Sequence, residues 1–327
     1  MWTSSLLARW SGGRWTRPAS PVHRVVHDSR EVEPGDLFVA IRGERQDGHD
    51  YVAAAAARGA VGAMVERAAL DRLDSAFPLL VVEDTRRALR EMAARHRARW
   101  RGRVIGVTGS VGKTTTKEQL ADVLATCGRT ARSPGNRNNE IGLPLALLNA
   151  PADLQWGVFE AGISHPGEME TLAATLQPDW VVFTRIGPAH IEFFGSEAAI
   201  AAEKARLAAR LRPRGTVVAA ADEPWFDVLC SATRARVVTV ALAEGADFVG
   251  HVEPTPQGPR LEVRGRTGFV VRCMLPVRGE PFARAALRAA AVAALAGADP
   301  NAVAAAIERF RPLPMRGDER VLGGVRW

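Results

Sequence analysis

The sequence predicts an α/β protein: a small N-terminal α/β domain, then a P-loop-containing central domain with a mainly parallel sheet and helices on both faces. Two observations carry this expectation. Short apolar stretches alternate with helical patterns along most of the 327 residues, the pattern of strands joined by crossover helices. The run from Val104 to Glu118, VIGVTGSVGKTTTKE, sets a Gly-rich turn between an apolar strand and a helix, the context that a phosphate-binding loop requires.

From about residue 22 to residue 100 the elements are small. GDLFVAIRG (Gly35 to Gly43) reads as a strand, and DGHDYVAAAAARGA as a turn and an Ala-rich helix. VGAMVE and PLLVVED read as strands, and Thr85 to Trp100 as a helix that Thr85 caps. Arg101 to Arg103 reads as the hinge, giving domains over 1–100 and 101–312. In the second, the strand at Val104 leads through the Gly-rich turn to a helix that runs to Cys127 and stops at Gly128. A Pro/Gly/Asn loop, SPGNRNNEIGLP, precedes the helix LALLNA. WGVFE, WVVFTRI, TVVAAAD and ARVVTVA read as strands and HPGEMETLAATL as a helix. The stretch from Phe248 to Pro276 reads as antiparallel strands with turns. Ala283 to Ala296 and Pro300 to Phe310 read as helices, the second with Asp299 as N-cap and Pro300 at its first position.

Bulk properties narrow the class. Hydrophobic content of 47% and charged content of 24% are globular values. No apolar run reaches the roughly 18 residues of a membrane span, and the N-terminus lacks the apolar core of a signal peptide. Cys127, Cys230 and Cys273 are odd in number and far apart. They are expected to be buried free thiols in a reducing, cytoplasmic setting. The net charge of +7 suits nucleic acid or a phosphorylated substrate. The densest basic run, eight arginines from Arg86 to Arg103, falls on a helix with almost no aromatic interleaving. A solvated helical face is preferred there to nucleic-acid binding.

The Gly-rich turn carries the chemistry. Backbone N–H groups of Gly109, Ser110, Val111, Gly112 and Lys113 are expected to wrap a polyphosphate, aided by the helix N-terminus that Thr114 and Thr115 open. Lys113 would reach the outer phosphates and Thr114 would put a hydroxyl on Mg²⁺. The common pattern asks for glycine five residues before Gly112, where Val107 stands. An ordinary Gly-rich turn between strand and helix is the alternative. Three further groups lie beyond the ends of predicted parallel strands or near them, where ligands gather. Glu160 ends the strand WGVFE and would hold the same Mg²⁺; a surface carboxylate is the plain alternative. His190 follows the strand WVVFTRI, and Lys204 lies on the helix from Glu197 to Leu211; each is also explained as a solvated residue.

Lysine usage sharpens the list. Of 43 basic side chains only Lys113, Lys117 and Lys204 are lysine. A chain that uses arginine wherever either serves keeps lysine where a compact ammonium, or an amine that can lose its proton, is needed. Lys113 fits the phosphate loop and Lys204 becomes a candidate for chemistry, while chance is enough to explain Lys117.

Taken together, GVTGSVGKTTTKE, GNRNNEIGLP, EAGISHPGEME and TRIGPAHIEFFGSEAAIAAEKARL resemble the central domain of the Mur ligases. VHDSREVEPGDLFVAIRGERQDGHDYVAAAAARGA resembles the N-terminal domain of the same family. HPGEME and AHIEFFGS are most similar to the type that adds D-alanyl-D-alanine to UDP-N-acetylmuramoyl-tripeptide. The resemblance implies an ATP-dependent amide-forming ligase of peptidoglycan precursor synthesis, with ATP and Mg²⁺ as cofactors and an acyl-phosphate intermediate. It implies that Ser29 and Arg30 hold the UDP-sugar and that Asn138 and Asn139 line the cleft. Glu160 would ligate a first Mg²⁺ and His190 a second. Lys204 matches the lysine that the family carbamylates, which makes an amine into an oxygen ligand.

The resemblance also implies a third domain, with 313–327 as the start of a linker to it and a separately encoded domain as a further partner. Ala220, Pro281, Phe282 and Ala285 stand where the family carries polar residues for the nucleoside, so weak recognition of the base is expected. A non-catalytic homologue that binds sugar nucleotide and ATP, and an unrelated P-loop ATPase, are the competing readings.

Overall fold

In the computed structural model, residues 1–211 and 214–313 are described, together with the backbone of 321–322 and 325–326. Two compact units emerge, one of Met1–Trp100 with Asn139–Ala152 and one of Arg101–Asn138 with the rest of the chain. The expected linker over 313–327 lies outside the described residues, apart from residue 313 and an antiparallel pairing of Val321–Leu322 with Val325–Arg326.

The first unit is a five-stranded sheet in the order β1-β5-β4-β3-β2. Its strands are β1 (Arg14–Trp15), β2 (Arg24–Val26), β3 (Asp36–Val39), β4 (Gly62–Glu66) and β5 (Leu79–Val82), all parallel except β1. Every residue of β3 and β5 is buried. That fits near-continuous apolar runs in a parallel sheet. The unit's helices are α1 (Ser4–Ser11), α2 (Val52–Ala57) and α3 (Thr85–Arg97). Helix α1 was not foreseen; Thr3 caps it through Leu6 N–H and Gly12 ends it at φ 69°. The cap of α3 is Asp84, whose carboxylate accepts from Arg87 N–H; Thr85 is its first residue and is buried. Residues 139–152 group with this unit. Their helix, Gly142–Leu148, is buried throughout, and Asn149 clamps both backbone groups of Val25, at 2.9 and 2.8 Å.

The second unit runs, in chain order, through β6 (Arg103–Thr108), α4 (Lys113–Leu124) and β7 (Thr130–Arg132). With α5 given to the Gly142–Leu148 helix, β8 (Trp156–Glu160), α6 (Glu168–Leu176), β9 (Trp180–Phe183), α7 (Ile191–Phe194) and α8 (Glu197–Ala209) follow. Then come β10 (Thr216–Ala220), α9 (Phe226–Ser231), β11 (Arg236–Ala241), β12 (Phe248–Thr255), β13 (Gly258–Gly265) and β14 (Val270–Met274). Helices α10 (Glu280–Ala296) and α11 (Pro300–Arg309) close the set. Nine strands form one sheet, β14-β13-β12-β11-β10-β9-β6-β8-β7, parallel from β7 to β12 with β13 and β14 antiparallel.

Strand β6 shows why both faces carry helices. Ile105 and Val107 join the core formed with α4 and α10. Gly106 alternates to the other face, where an added Cβ would meet Leu176 of α6 and Leu207 of α8 at 3.1 Å each. The Ala-rich α10 packs against α4, small side chains allowing a close approach.

The arginine run is not simply a solvated face. Arg97 is buried, Arg99 lies over Trp10 at 5.7 Å, and Arg103 lies over Trp156 and Trp180 at 5.7 and 5.2 Å. The aromatic partners come from elsewhere in the chain. Cys127, Cys230 and Cys273 are free as expected, though only Cys273 is fully buried.

A buried histidine fixes one loop of the first unit. His49 is 2% exposed. Its Nε2 accepts from Glu66 N–H at 2.9 Å, so Nδ1 donates to Asp47 at 2.6 Å. His49→Phe would orphan the Glu66 N–H, at a cost of about 1–3 kcal/mol. Hydrogen exchange of the Glu66 amide should accelerate accordingly; unchanged protection would mean another acceptor serves that amide.

Candidate active site

The phosphate loop leaves β6 at Thr108. Gly109 (φ 152°) must be glycine, because a Cβ there would lie 1.9 Å from Thr184 Oγ1. The tight-turn role that the common motif gives to a glycine at 107 thus falls to Gly109, and Val107 stays in the strand, fully buried. Gly112 takes φ 86° and opens α4. Ser110 N–H and Val111 N–H donate to the Arg185 carbonyl, at 2.7 and 3.2 Å, and Ser110 Oγ donates to Gly187 O at 2.8 Å. Those two amides, assigned to a polyphosphate from the sequence, are thus engaged with the protein in this structure. The first turn of α4, from Lys113 through Thr115, presents N–H groups with no intrahelical acceptor. Lys113 Nζ donates to Ser110 O at 3.3 Å.

Beside the loop the polar groups converge on Glu160, the last residue of β8, which is 1% exposed. Thr114 Oγ1 donates to its Oε2 at 2.8 Å, and Asn138 Nδ2 donates to its Oε1 at 2.7 Å. Its backbone N–H reaches Ser133 Oγ at 3.3 Å. Gly162 permits this approach: a Cβ there would press within 2.8 Å of the Asn138 amide. Ser133 and Gly162 were not singled out from the sequence.

Lys204 is 3% exposed on α8. Burial first, and the charge of Lys113 second, push its ammonium down to about 7, against Glu160 and Glu203, which act the other way. Glu203 also went unforeseen. Its carboxylate accepts from Gly167 N–H and Met169 N–H at 2.9 and 3.0 Å. It thereby caps α6, which has no side-chain cap of its own.

His190, expected to ligate a second Mg²⁺, follows β9. It sits at φ 61° before the short α7, exposed, and its ring makes no hydrogen bond or ion pair among the described residues. Among those residues no group of three His, Cys, Asp or Glu side chains is placed to hold a metal. The pair Thr114–Glu160 nevertheless suits Mg²⁺, which takes few protein ligands, all oxygen, and keeps several waters. Lys204 would join such a set only after conversion to an oxygen donor.

On the nucleoside side, Ala220 and Ala285 are buried and apolar. Pro281 and Phe282 lie in the first turn of α10. The polar element there is an ion pair, with Arg284 Nη1 and Nη2 donating to Asp222 at 2.9 and 2.5 Å.

In the first unit, Ser29 and Arg30 form a single 3₁₀ turn with Glu31. They line a cavity of about 400 Å³, with Asp28, Phe38, Tyr51 and Arg86 also in its wall. Asp28 holds the Arg30 guanidinium at 2.6 Å, and those hydrogen bonds draw its own carboxyl down to about 2. Asn139, expected to line the cleft, spends its side-chain oxygen on Ile141 N–H and Gly142 N–H, at 3.2 and 2.8 Å. It starts the helix α5.

Comparison with known proteins settles the family. The family model described as the Mur ligase middle domain matches residues 107–293, and that of the Mur ligase family catalytic domain matches residues 21–97. The chain belongs to the Mur ligase family. It is 35% identical over 297 residues to the UDP-N-acetylmuramoyl-tripeptide–D-alanyl-D-alanine ligase of Escherichia coli, covering 89% of this chain and 64% of that protein. The enzyme of the same name from Bacillus subtilis is 32% identical, covering 90% and 63%. The chain therefore spans a little under two thirds of the length of these curated relatives. A crystal structure of MurF from Acinetobacter baumannii superposes with a TM-score of 0.89 at 30% identity, covering 99% of this chain and 72% of that one. The Thermotoga maritima MurF ligase in complex with ADP gives 0.79 at 29% identity, covering 93% and 70%. An unrelated P-loop ATPase is thereby excluded.

The Lys204 amine yields a pH prediction. Its folded-state value of about 7 lies below the ordinary 10.5. Between these the unfolded chain binds the extra proton, so this group's contribution to stability rises with pH from about 7 to 10.5 and is lost below 7. With only three lysines, ε-¹³C-lysine labelling resolves the site directly. One resonance should titrate near pH 7 and disappear in Lys204→Met. Three resonances titrating above pH 9 would overturn the assignment.

Proposed function

We propose that this chain carries the sugar-nucleotide and phosphate-handling parts of an ATP-dependent, amide-forming ligase. The ligase would add D-alanyl-D-alanine to UDP-N-acetylmuramoyl-tripeptide in the cytoplasm. The observation that carries this reading is the Glu160 carboxylate, shared between Thr114 of the phosphate loop and Asn138, with the poised Lys204 nearby. The relatives named for that reaction support it. No helix is long and apolar enough to cross a membrane among the described residues.

The chemistry follows from charge. A peptide carboxylate attacks the γ-phosphorus of ATP, ADP departs, and an acyl phosphate forms. The amine of D-alanyl-D-alanine then adds to the acyl carbon, and the tetrahedral intermediate expels phosphate to leave the amide. Lys113 would spread positive charge over the outer phosphates as they transfer. Mg²⁺, held by Thr114 and Glu160, supplies charge neutralisation when bound. Asn138 keeps the Glu160 carboxylate turned toward Thr114. Lys204, with a neutral fraction near pH 7, would add to CO₂ and lose a proton to become a carbamate with oxygen donors. Arginine could not do this.

In the first unit, Arg30 would give the UDP-sugar a charge-assisted contact, worth about 1.5–3 kcal/mol. Calorimetric titration of UDP-N-acetylmuramoyl-tripeptide tests the reading. Arg30→Ala should weaken binding by roughly 10–150-fold, and no binding by the unaltered chain would sink the proposal.

The nucleoside side yields a second expectation. With Ala220 and Ala285 apolar, and with Asp222 and Arg284 paired to each other, binding should rest on phosphates more than base. ATP, GTP and tripolyphosphate should bind within about tenfold of one another, or 1.4 kcal/mol. A stronger preference for ATP would show that other residues read the base.

A further inference from the structure

Lys117 is the lysine that neither the motif nor the reaction uses. It lies on α4 one turn beyond Thr114 and is completely buried. Its ammonium meets three acceptors: Ser133 O and Gly135 O at 2.7 Å each, and Glu118 Oε1 at 2.9 Å. Three N–H donors thus find three oxygens. Glu118 is itself held from the other side by Arg132, at 2.9 Å.

The two carbonyls belong to the segment that steers Glu160. Ser133 continues the edge strand, its N–H donating to Val158 O at 3.1 Å and its hydroxyl accepting from Glu160 N–H. Gly135 turns the chain at φ 51°. Asn138 then donates to Glu160 Oε1 and accepts from Gly162 N–H through its carbonyl, at 2.9 Å. Removing the ammonium would take this donor from the buried Ser133 carbonyl and untie the exposed Gly135 turn from α4, a loss the loop would relieve by moving.

We infer that Lys117 is a positioning residue. By drawing the carbonyls of Ser133 and Gly135 onto α4, it fixes the 133–138 loop so that Asn138 and Ser133 aim the Glu160 carboxylate at Thr114. This rests on the reading of Thr114 and Glu160 as the Mg²⁺ pair. It also explains why lysine persists here in a chain that otherwise favours arginine. A planar guanidinium presents its donors in a flat fork, which does not fit three acceptors around one buried nitrogen.

The test is the Mg²⁺ dependence of nucleotide binding in the whole chain, read with a fluorescent ADP. For the unaltered chain, Mg²⁺ should tighten binding. Lys117→Met should raise the Mg²⁺ concentration at half effect by at least tenfold and leave Mg²⁺-free binding within twofold. Lys117→Arg should not rescue it. Asn138→Ala should shift the midpoint too, and the double variant should shift it no further than the larger single one, as expected for residues acting in series. Leu261→Ala, in the distant β13, controls for stability alone: it should lower the melting temperature without moving the midpoint. If Lys117→Met does not fold, Lys117→Gln carries the same comparison.

An unmoved midpoint, additive effects, or an equal shift in Leu261→Ala would each overturn the inference. A nucleotide that binds the unaltered chain with no response to Mg²⁺ would instead overturn the Mg²⁺ reading of Thr114 and Glu160, and with it this inference.

Discussion

One carboxylate organises the second unit. Glu160 ends β8, and its two oxygens are divided between helix α4, through Thr114, and the loop after β7, through Asn138. A buried carboxylate with unsatisfied oxygens would cost several kcal/mol. Here the bonds that satisfy it also set the distance between the phosphate loop and the strand end. Strands β6 and β8 pair in register, with Val107 opposite Glu160. The sheet therefore fixes where the carboxylate begins, and the two side chains fix where it points.

Around that carboxylate the positive charges are few. Burial lowers the Lys204 ammonium most, and the charge of Lys113 lowers it further. Both favour the neutral amine. An arginine in either place would stay charged. The arginines of this unit serve instead as permanent charges. Arg288 is nearly fully buried and donates to Phe183 O at 3.0 Å. Arg284 pairs with Asp222. Burial pulls Arg288 down only to about 10, so it remains a cation at neutral pH and holds the end of β9 in place.

Much of this was legible in the sequence because the signals were local. The alternation of apolar strands and helices, the run from Val104 to Glu118, and Pro300 behind the Asp299 cap all depend on neighbouring residues. Other residues turn out to have partners that their residue type did not reveal, some local and some tertiary. Thr85 looks like a helix cap, yet Asp84 takes that role because its extended backbone turns its carboxylate onto Arg87 N–H. Asn139, matched to the cleft by resemblance, also starts a helix. His190 was matched to a metal set by resemblance alone, and its exposed ring adds no contact that speaks for or against that role. Lys117 had no functional reading, since its two carbonyl acceptors lie 16 and 18 residues away. Residue spacing could not have shown that they meet it.

The loop from Thr184 to Gly187 adds a constraint on how a polyphosphate would be received. It gives the Arg185 carbonyl to two amides of the phosphate loop and the Gly187 carbonyl to the Ser110 hydroxyl. Thr184 crowds Gly109 from the same side. Ile186 N–H donates to Glu223 at 3.4 Å. Burial raises the Glu223 carboxyl above its usual range, and its Oε1 has no hydrogen-bond partner among the described residues. The Gly-rich loop is therefore braced from behind. Its amides at Ser110 and Val111 shape the turn, which leaves the helix end at Lys113 and Thr114 to face the proposed polyphosphate. A brace of this kind lowers the ordering cost of binding, because the loop need not be organised by the ligand. It also explains how Val107 can replace the usual glycine. The backbone's freedom is needed at Gly109 and Gly112, where the loop leaves the strand and enters the helix, and not within β6 itself.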